Sequence, residues 1–427
     1  MPPILRRLSA IAVLLLSLAI VAVLTLRALG VPIALGPEPS PTASAAEPSA
    51  GATPPASAPA SVDPLAVFAE IEADVEDLRD LPPADIGPPD IITRAEAAAE
   101  LEEILDEAWT EEELARDNLV LRALGLLTGE QDLRQLTQEL YAAQVLGYYD
   151  FTEKRMVVVS DTGLTAEARL TYAHEYTHAL QDAAFDIGAD REESDLADDD
   201  AALARVALEE GDATAVMFEW ALDGNLTPEE LLGIGAQPLP DMTGIPEWMV
   251  QQLTLPYTAG FEFVSQLQLS GGWSAVDAAY HEPPASTEQI IHPDKYLDAE
   301  APAEVEGVDV SAALGDGWEE VESTTIGEAM LSIWLDHLGV RPGDASEAAA
   351  GWGGDRLRVA TGPGGAWALA WTITFDSPAH ADEFVEADAD ITGAPMVRDL
   401  AQVSDTEVVV LHASSASLLE ALAAAIG

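Results

Sequence analysis

The segment YAHEYTHALQD, Tyr172 to Asp182, sets the tightest limit on how this chain can fold. Residues four apart lie on one face of an α-helix, a turn from each other, so His174 and His178 aim two imidazoles at one point. Such a pair suits Zn²⁺, a borderline-soft ion that takes nitrogen, sulfur and oxygen donors in tetrahedral array. The chain has no cysteine and only seven histidines, so no thiolate can complete the set. A third ligand has to come from another element packed against this helix. Glu175, next to the first histidine, would sit beside the ion without binding it, placed to take a proton and later return it.

The flanking sequence supports that geometry. RMVVVSDTG predicts a short strand, Met156 to Val159, ending in a turn. Thr165 is a predicted N-cap with Glu167 in the first turn, and the helix then runs to about Ala184. The next predicted helix, from about Asp200 to Leu222, carries LEEGDATAVMFEW. Glu209 and Glu210 stand 31 and 32 residues after His178. If the two helices pack antiparallel, one of these carboxylates reaches the metal, and the fourth position stays open. Neighbours on a helix point about 100° apart, so the two are distinct choices. Ala213 and Thr214 leave room beside Glu210, which is preferred, and Glu209 is the alternative.

Elsewhere the chain divides by composition. Residues 1–35 hold Arg6 and Arg7 ahead of an uncharged run from Leu8 to Leu26, long enough for a membrane helix. The flanking arginines favour export of everything downstream. The expected location is the cell membrane, single-pass, with the folded part outside the cytoplasm; secretion after signal cleavage is the alternative. Residues 36–64 are rich in proline, alanine and serine and cannot bury a core, so they read as a disordered spacer. Residues 65–304 are mainly helical, with predicted helices from Leu65, from Arg94 to Trp109 and from Asp132 to Leu146. Residues 305–427 read as a helix followed by a small α+β unit from near Trp352, including two strands joined at a Pro-Gly turn. The expected class is α+β.

Charge restricts the partners. Against 76 acidic residues the chain sets 18 basic ones, including only two lysines, Lys154 and Lys295, for a net −58. No basic surface is available to neutralise phosphates, which excludes nucleic acid. An anionic lipid surface is excluded on the same ground, leaving the N-terminal helix as the membrane contact. The acidity keeps the chain soluble and also fits adaptation to high salt.

The order of a strand, the HEYTH helix and a glutamate-bearing helix resembles the gluzincin, or thermolysin-like, zinc metallopeptidases. More closely, four segments in order, GYYDFTEKRMVVVS, HEYTHALQD, LEEGDATAVM and STEQIIHPDKY, resemble predicted membrane-anchored bacterial metallopeptidases of unassigned function, over Leu65 to Leu297. The resemblance implies a zincin-like domain with His174, His178 and Glu210 as Zn²⁺ ligands and Glu175 as general base. It also implies that MVVVS is an edge strand along which an extended peptide binds. One departure stands out: the thermolysin pattern often has an aspartate four residues after the glutamate ligand, and this chain has Thr214. Support for a ligand histidine must then come from elsewhere.

Peptide hydrolysis also calls for a donor to the developing oxyanion. His292 in STEQIIHPDKY is the candidate, followed by Tyr296 and then Tyr257. The remaining histidines, His281, His337, His380 and His412, have no metal-ligand spacing. The expected function is a zinc metallopeptidase acting on peptides or unfolded protein segments. A non-catalytic envelope protein with a structural zinc, or a zinc hydrolase of other amides and esters, are the alternatives. An open cleft with an accessible strand at Met156 to Val159 would speak for proteolysis, and a closed pocket for a small substrate.

Overall fold

The computed structural model describes residues 63–142, 146–161, 163–188, 199–236, 242–392 and 394–426. The apolar N-terminal run and nearly all of the spacer lie outside the described residues. Among those described, no helix is long and apolar enough to cross a membrane.

The chain is α+β, with a helical body, one small sheet beside it and a larger C-terminal sheet. Helix α1 (Pro64–Arg79) begins on an Asp63 cap and buries Phe68, Ile71 and Val75. Strand β1 (Asp90–Ile92) leads into α2 (Arg94–Ala108) and α3 (Glu111–Leu124). Both helices start on reciprocal threonine–glutamate caps, Thr93 with Glu96 and Thr110 with Glu113. After α4 (Leu133–Ala142) come β2 (Gly147–Asp150) and β3 (Arg155–Val159), then α5 (Ala166–Phe185) and α6 (Asp199–Trp220). A π-turn at Ala221–Asn225 precedes α7 (Pro228–Gly235), the long α8 (Glu247–Gly271), α9 (Trp273–His281) and two short helices, α10 (Thr287–Ile291) and α11 (Pro293–Leu297).

The small sheet has the order β1-β3-β2. Strand β3 pairs parallel with β1 and antiparallel with β2, through Val157 opposite Asp90 and Tyr148. Met156–Val159 is therefore the middle strand, and the expectation that it forms a free edge is corrected. Four consecutive buried residues fit that place, since a strand paired on both sides and covered on both faces has no reason to alternate. The edges are β1 and β2.

The C-terminal part opens with α12 (Val310–Leu314), β4 (Glu319–Thr324), α13 (Gly327–His337) and α14 (Pro342–Ala349). It continues with β5 (Trp352–Gly362), β6 (Ala366–Phe375), α15 (Pro378–Ala389), β7 (Val397–Gln402), β8 (Glu407–Ala413) and α16 (Ala416–Ile426). Its antiparallel sheet runs β4-β5-β6-β8-β7. The two-strand reading at the Pro-Gly turn holds, while the sheet starts earlier than Trp352, at β4. One continuous core joins this sheet to the helical body, with Trp334, Leu357 and Trp371 in the same cluster as Val120 and Leu121. The end of α3 is tied down by it: Trp334 Nε1 donates to the Leu124 carbonyl at 3.0 Å, and His412 Nδ1 to that of Ala123 at 2.7 Å. Those carbonyls have no helical partner, and side chains satisfy them.

Candidate metal centre

The two helices that carry the site are buried almost all round. Thr165 caps α5 as expected, its hydroxyl accepting the Ala168 N–H at 3.1 Å. From Leu170 to Asp182 every residue of α5 is buried, and α6 is buried from Val206 to Met217. Helix α8 crosses α6 with backbones in contact. A Cβ on Gly211 would stand 2.2 Å from the Gly260 backbone, and one on Gly260 2.0 Å from the Ala207 carbonyl oxygen. Only glycine permits that approach, and it fixes Glu210, one residue before Gly211, against Tyr257 on α8.

His174, His178 and Glu210 meet there, with side chains no more than 2 % exposed. Nε2 of His174 lies 3.1 Å from Glu210 Oε2, Nε2 of His178 lies 3.4 Å from the same oxygen, and the two nitrogens are 3.2 Å apart. Donors about 2.0–2.1 Å from an ion at tetrahedral angles lie about 3.3 Å from one another, so this triangle has the dimensions of one face of a zinc tetrahedron. Glu210 is the carboxylate brought to the cluster. Glu209 is also buried, and its backbone carbonyl accepts a hydrogen bond from Gln181 at 3.0 Å. Among the described residues, Nδ1 of His174 and Oε1 of Glu210 are buried without a well-formed hydrogen bond.

Electrostatics match the geometry. Burial pushes the Glu210 carboxyl up, but the His178 charge and hydrogen bonds from both histidines hold it down at about 2. Burial pulls His178 down and the Glu210 charge more than reverses it, to about 9. His174 is lowered by burial against the pull of Glu210. Together the three groups favour one added positive charge, and two imidazoles with a carboxylate are donors that a divalent ion takes readily.

Glu175 lies at the same place, 4 % exposed. Its Oε2 accepts the Tyr149 N–H at 3.0 Å, so strand β2, one of the two sheet edges, sets its position. Burial first, and the Glu210 charge, raise its carboxyl to about 8 against the opposing His178 charge. The aromatic wall includes Phe151, its ring centroid 6.0 Å from that of His178, and Tyr257, stacked on His174 at 5.9 Å. Burial and Glu210 push the hydroxyls of both Tyr257 and Tyr141 up.

The support that an aspartate at position 214 would give is found on another residue. Thr214 is buried, and among the described residues its hydroxyl has no hydrogen-bond partner. Gln181 takes the part instead, its Oε1 2.8 Å from His178 Nδ1 and its Nε2 donating to Asp212 Oδ2 at 3.1 Å. A signal for it was present in the sequence: Gln181 lies three residues after His178, on the same helix face.

His292 is not brought to this cluster. Its Nε2 is 2.9 Å from Glu328 Oε1, in a separate group of charges that includes Lys295 and Glu288. Tyr296 donates to the Glu282 carbonyl at 2.8 Å. Of the three candidate oxyanion donors, Tyr257 alone faces the triangle of His174, His178 and Glu210.

Comparison with known proteins adds one finding. Residues 313–423 match the model of a domain of unknown function, DUF8575, which covers most of the C-terminal part and none of the histidine cluster. No curated protein and no solved structure matches the chain.

Proposed function

We propose that the chain is a zinc-dependent hydrolase of amide bonds, a metallopeptidase held outside the cytoplasm by its N-terminal segment. The observation that carries this is the triangle of His174, His178 and Glu210 donors with Glu175 beside it. A purely structural zinc is usually closed by four protein ligands and has no use for a carboxylate adjacent to it. When bound, the ion would supply the positive charge that acidifies a water and polarises a carbonyl. The chain's own residues do the rest. Glu175, fixed by the Tyr149 amide, accepts a proton and hands it to the leaving amine. Tyr257 offers a hydroxyl to the oxyanion. Gln181 holds the His178 ring.

Burial favours a second reading of the substrate. All four residues of the site are at most 4 % exposed, and Met156–Val159 offers no free edge to an extended chain. A small amide or ester fits an enclosed site better than a folded polypeptide does. The test is hydrolysis of casein and of short amide and ester substrates, with and without a zinc chelator. Chelator-sensitive turnover restored by zinc supports the proposal, and the substrate class separates its two forms. Turnover of none of them by zinc-loaded protein would sink it.

A further inference from the structure

Helix α1 packs against α5, the helix that carries His174 and His178. Its Phe68 packs on Tyr172 with centroids 4.2 Å apart. Glu72 accepts the Tyr172 hydroxyl at 2.5 Å and Glu76 that of Tyr176 at 2.6 Å. Both tyrosines alternate with the histidines along α5. The last residue of α1, Arg79, is fully buried, its guanidinium 4.5 Å above the Trp273 ring. Its Nε donates to Asp212 Oδ1 at 2.8 Å, and its Nη2 lies 2.8 Å from Asp277 Oδ1. A buried guanidinium is costly unless paired, so these contacts fix where Arg79 and Asp212 sit.

The consequence runs to the metal triangle. Asp212 Oδ2 accepts from the Tyr280 hydroxyl at 2.8 Å and from Gln181 Nε2 at 3.1 Å. An amide has one donating end and one accepting end. The Asp212 carboxylate and the Glu209 carbonyl both accept, so both claim the NH₂ group of Gln181. Its oxygen is thereby left for His178 Nδ1, 2.8 Å away. An oxygen there demands N–H at Nδ1, which leaves the Nε2 lone pair free to bind a cation.

We propose that Arg79 is a positioning residue of the metal site: through Asp212 and Gln181 it sets the tautomer and orientation of His178. The inference rests on reading His174, His178 and Glu210 as a zinc site. It gives α1 the part of a brace for the site.

The test uses the full chain in detergent, titrated with zinc against a fluorescent chelator, beside the visible spectrum of cobalt-loaded protein. Gln181→Met should weaken zinc binding by about 10–100-fold and Arg79→Met by about tenfold, with the tetrahedral cobalt bands diminished in both. Arg79→Lys should recover part of the loss. In the Gln181→Met background, Arg79→Met should cost no more than about twofold further, because the path is already cut. If Arg79→Met does not fold, Arg79→Lys alone and in the Gln181→Met background carries the same comparison. Failure of the wild type to bind zinc would remove the site reading itself. Zinc bound by the wild type and equally well by the Arg79 variants would leave that reading standing and overturn this one. So would an Arg79 effect that persists undiminished beside Gln181→Met.

Discussion

Among the described residues, three ionisable side chains converge within reach of a single ion at two places: His174, His178 and Glu210, and the carboxylates Glu288, Glu300 and Asp376. The second group is already filled. Nζ of Lys295 lies 2.5, 2.9 and 2.8 Å from its three carboxylates, as an ammonium sits in a cage. The first group has no such resident. Among the described residues, the ion pairs of Glu210 are to the two histidines alone, and the other lysine, Lys154, lies 3.4 Å from Asp182. Clustered acid therefore says little until the protein's own cations have been placed. Where a lysine occupies the centre, the cluster is a structural tie, here between α11 and the end of β6. Where imidazoles converge on a carboxylate without a lysine, the positive charge at the centre is left to the histidines' own protons or to a bound cation.

That contrast can be attacked from both sides. The largest effect belongs to Glu175→Gln, which should cut turnover by roughly 10²–10⁴-fold while zinc stays bound; loss of zinc in this variant would make Glu175 a ligand. Tyr257→Phe should cost about 10²-fold in kcat with zinc content and KM little changed, as expected for an oxyanion donor. An unchanged kcat would remove that role.

Lys295→Met empties the other cage. It should lower stability by about 1–2 kcal/mol, less than for a fully buried pair because Lys295 is partly exposed. The vacated carboxylates should then bind calcium weakly, with Kd about 10⁻⁴–10⁻³ M. Calorimetry that finds no calcium binding in this variant would show that an absent cation is not enough to make a site.

A further prediction is a pH dependence away from both clusters. His412, buried against the Ala123 carbonyl, is pulled down to about 4, chiefly by burial. Its folded pKa is below its unfolded value, so the stability it supports is full above about pH 6.5 and is lost as pH falls toward 4. The loss is at most about 3 kcal/mol, and in melting curves His412→Asn should flatten that part of the pH profile. An unaltered slope in the variant would assign the pH dependence to other groups.

The helix that carries His174 and His178, its Thr165 cap and the convergence of Glu210 on the two histidines were legible because each rests on local spacing. What was not legible depends on distant partners. β1 is three residues long and β4 and β7 are polar edge strands, so none shows an apolar alternation. Without β1 and β2 in view, β3 could not be known as a middle strand. Helix α3 was missed although Thr110 and Glu113 form the cap that announces it. His292 carried the same local signals as a catalytic loop histidine, and its pairing with Glu328, 36 residues on, is one that no local pattern reveals. Arg79 is 133 residues from Asp212, a pairing no local pattern reveals.

The most direct measurement is metal content by mass spectrometry on the purified wild type beside Glu210→Ala and Glu175→Gln. About one zinc per chain is expected in the wild type and in Glu175→Gln, and very little in Glu210→Ala. Wild-type protein that folds and stays free of zinc when zinc is supplied would contradict it.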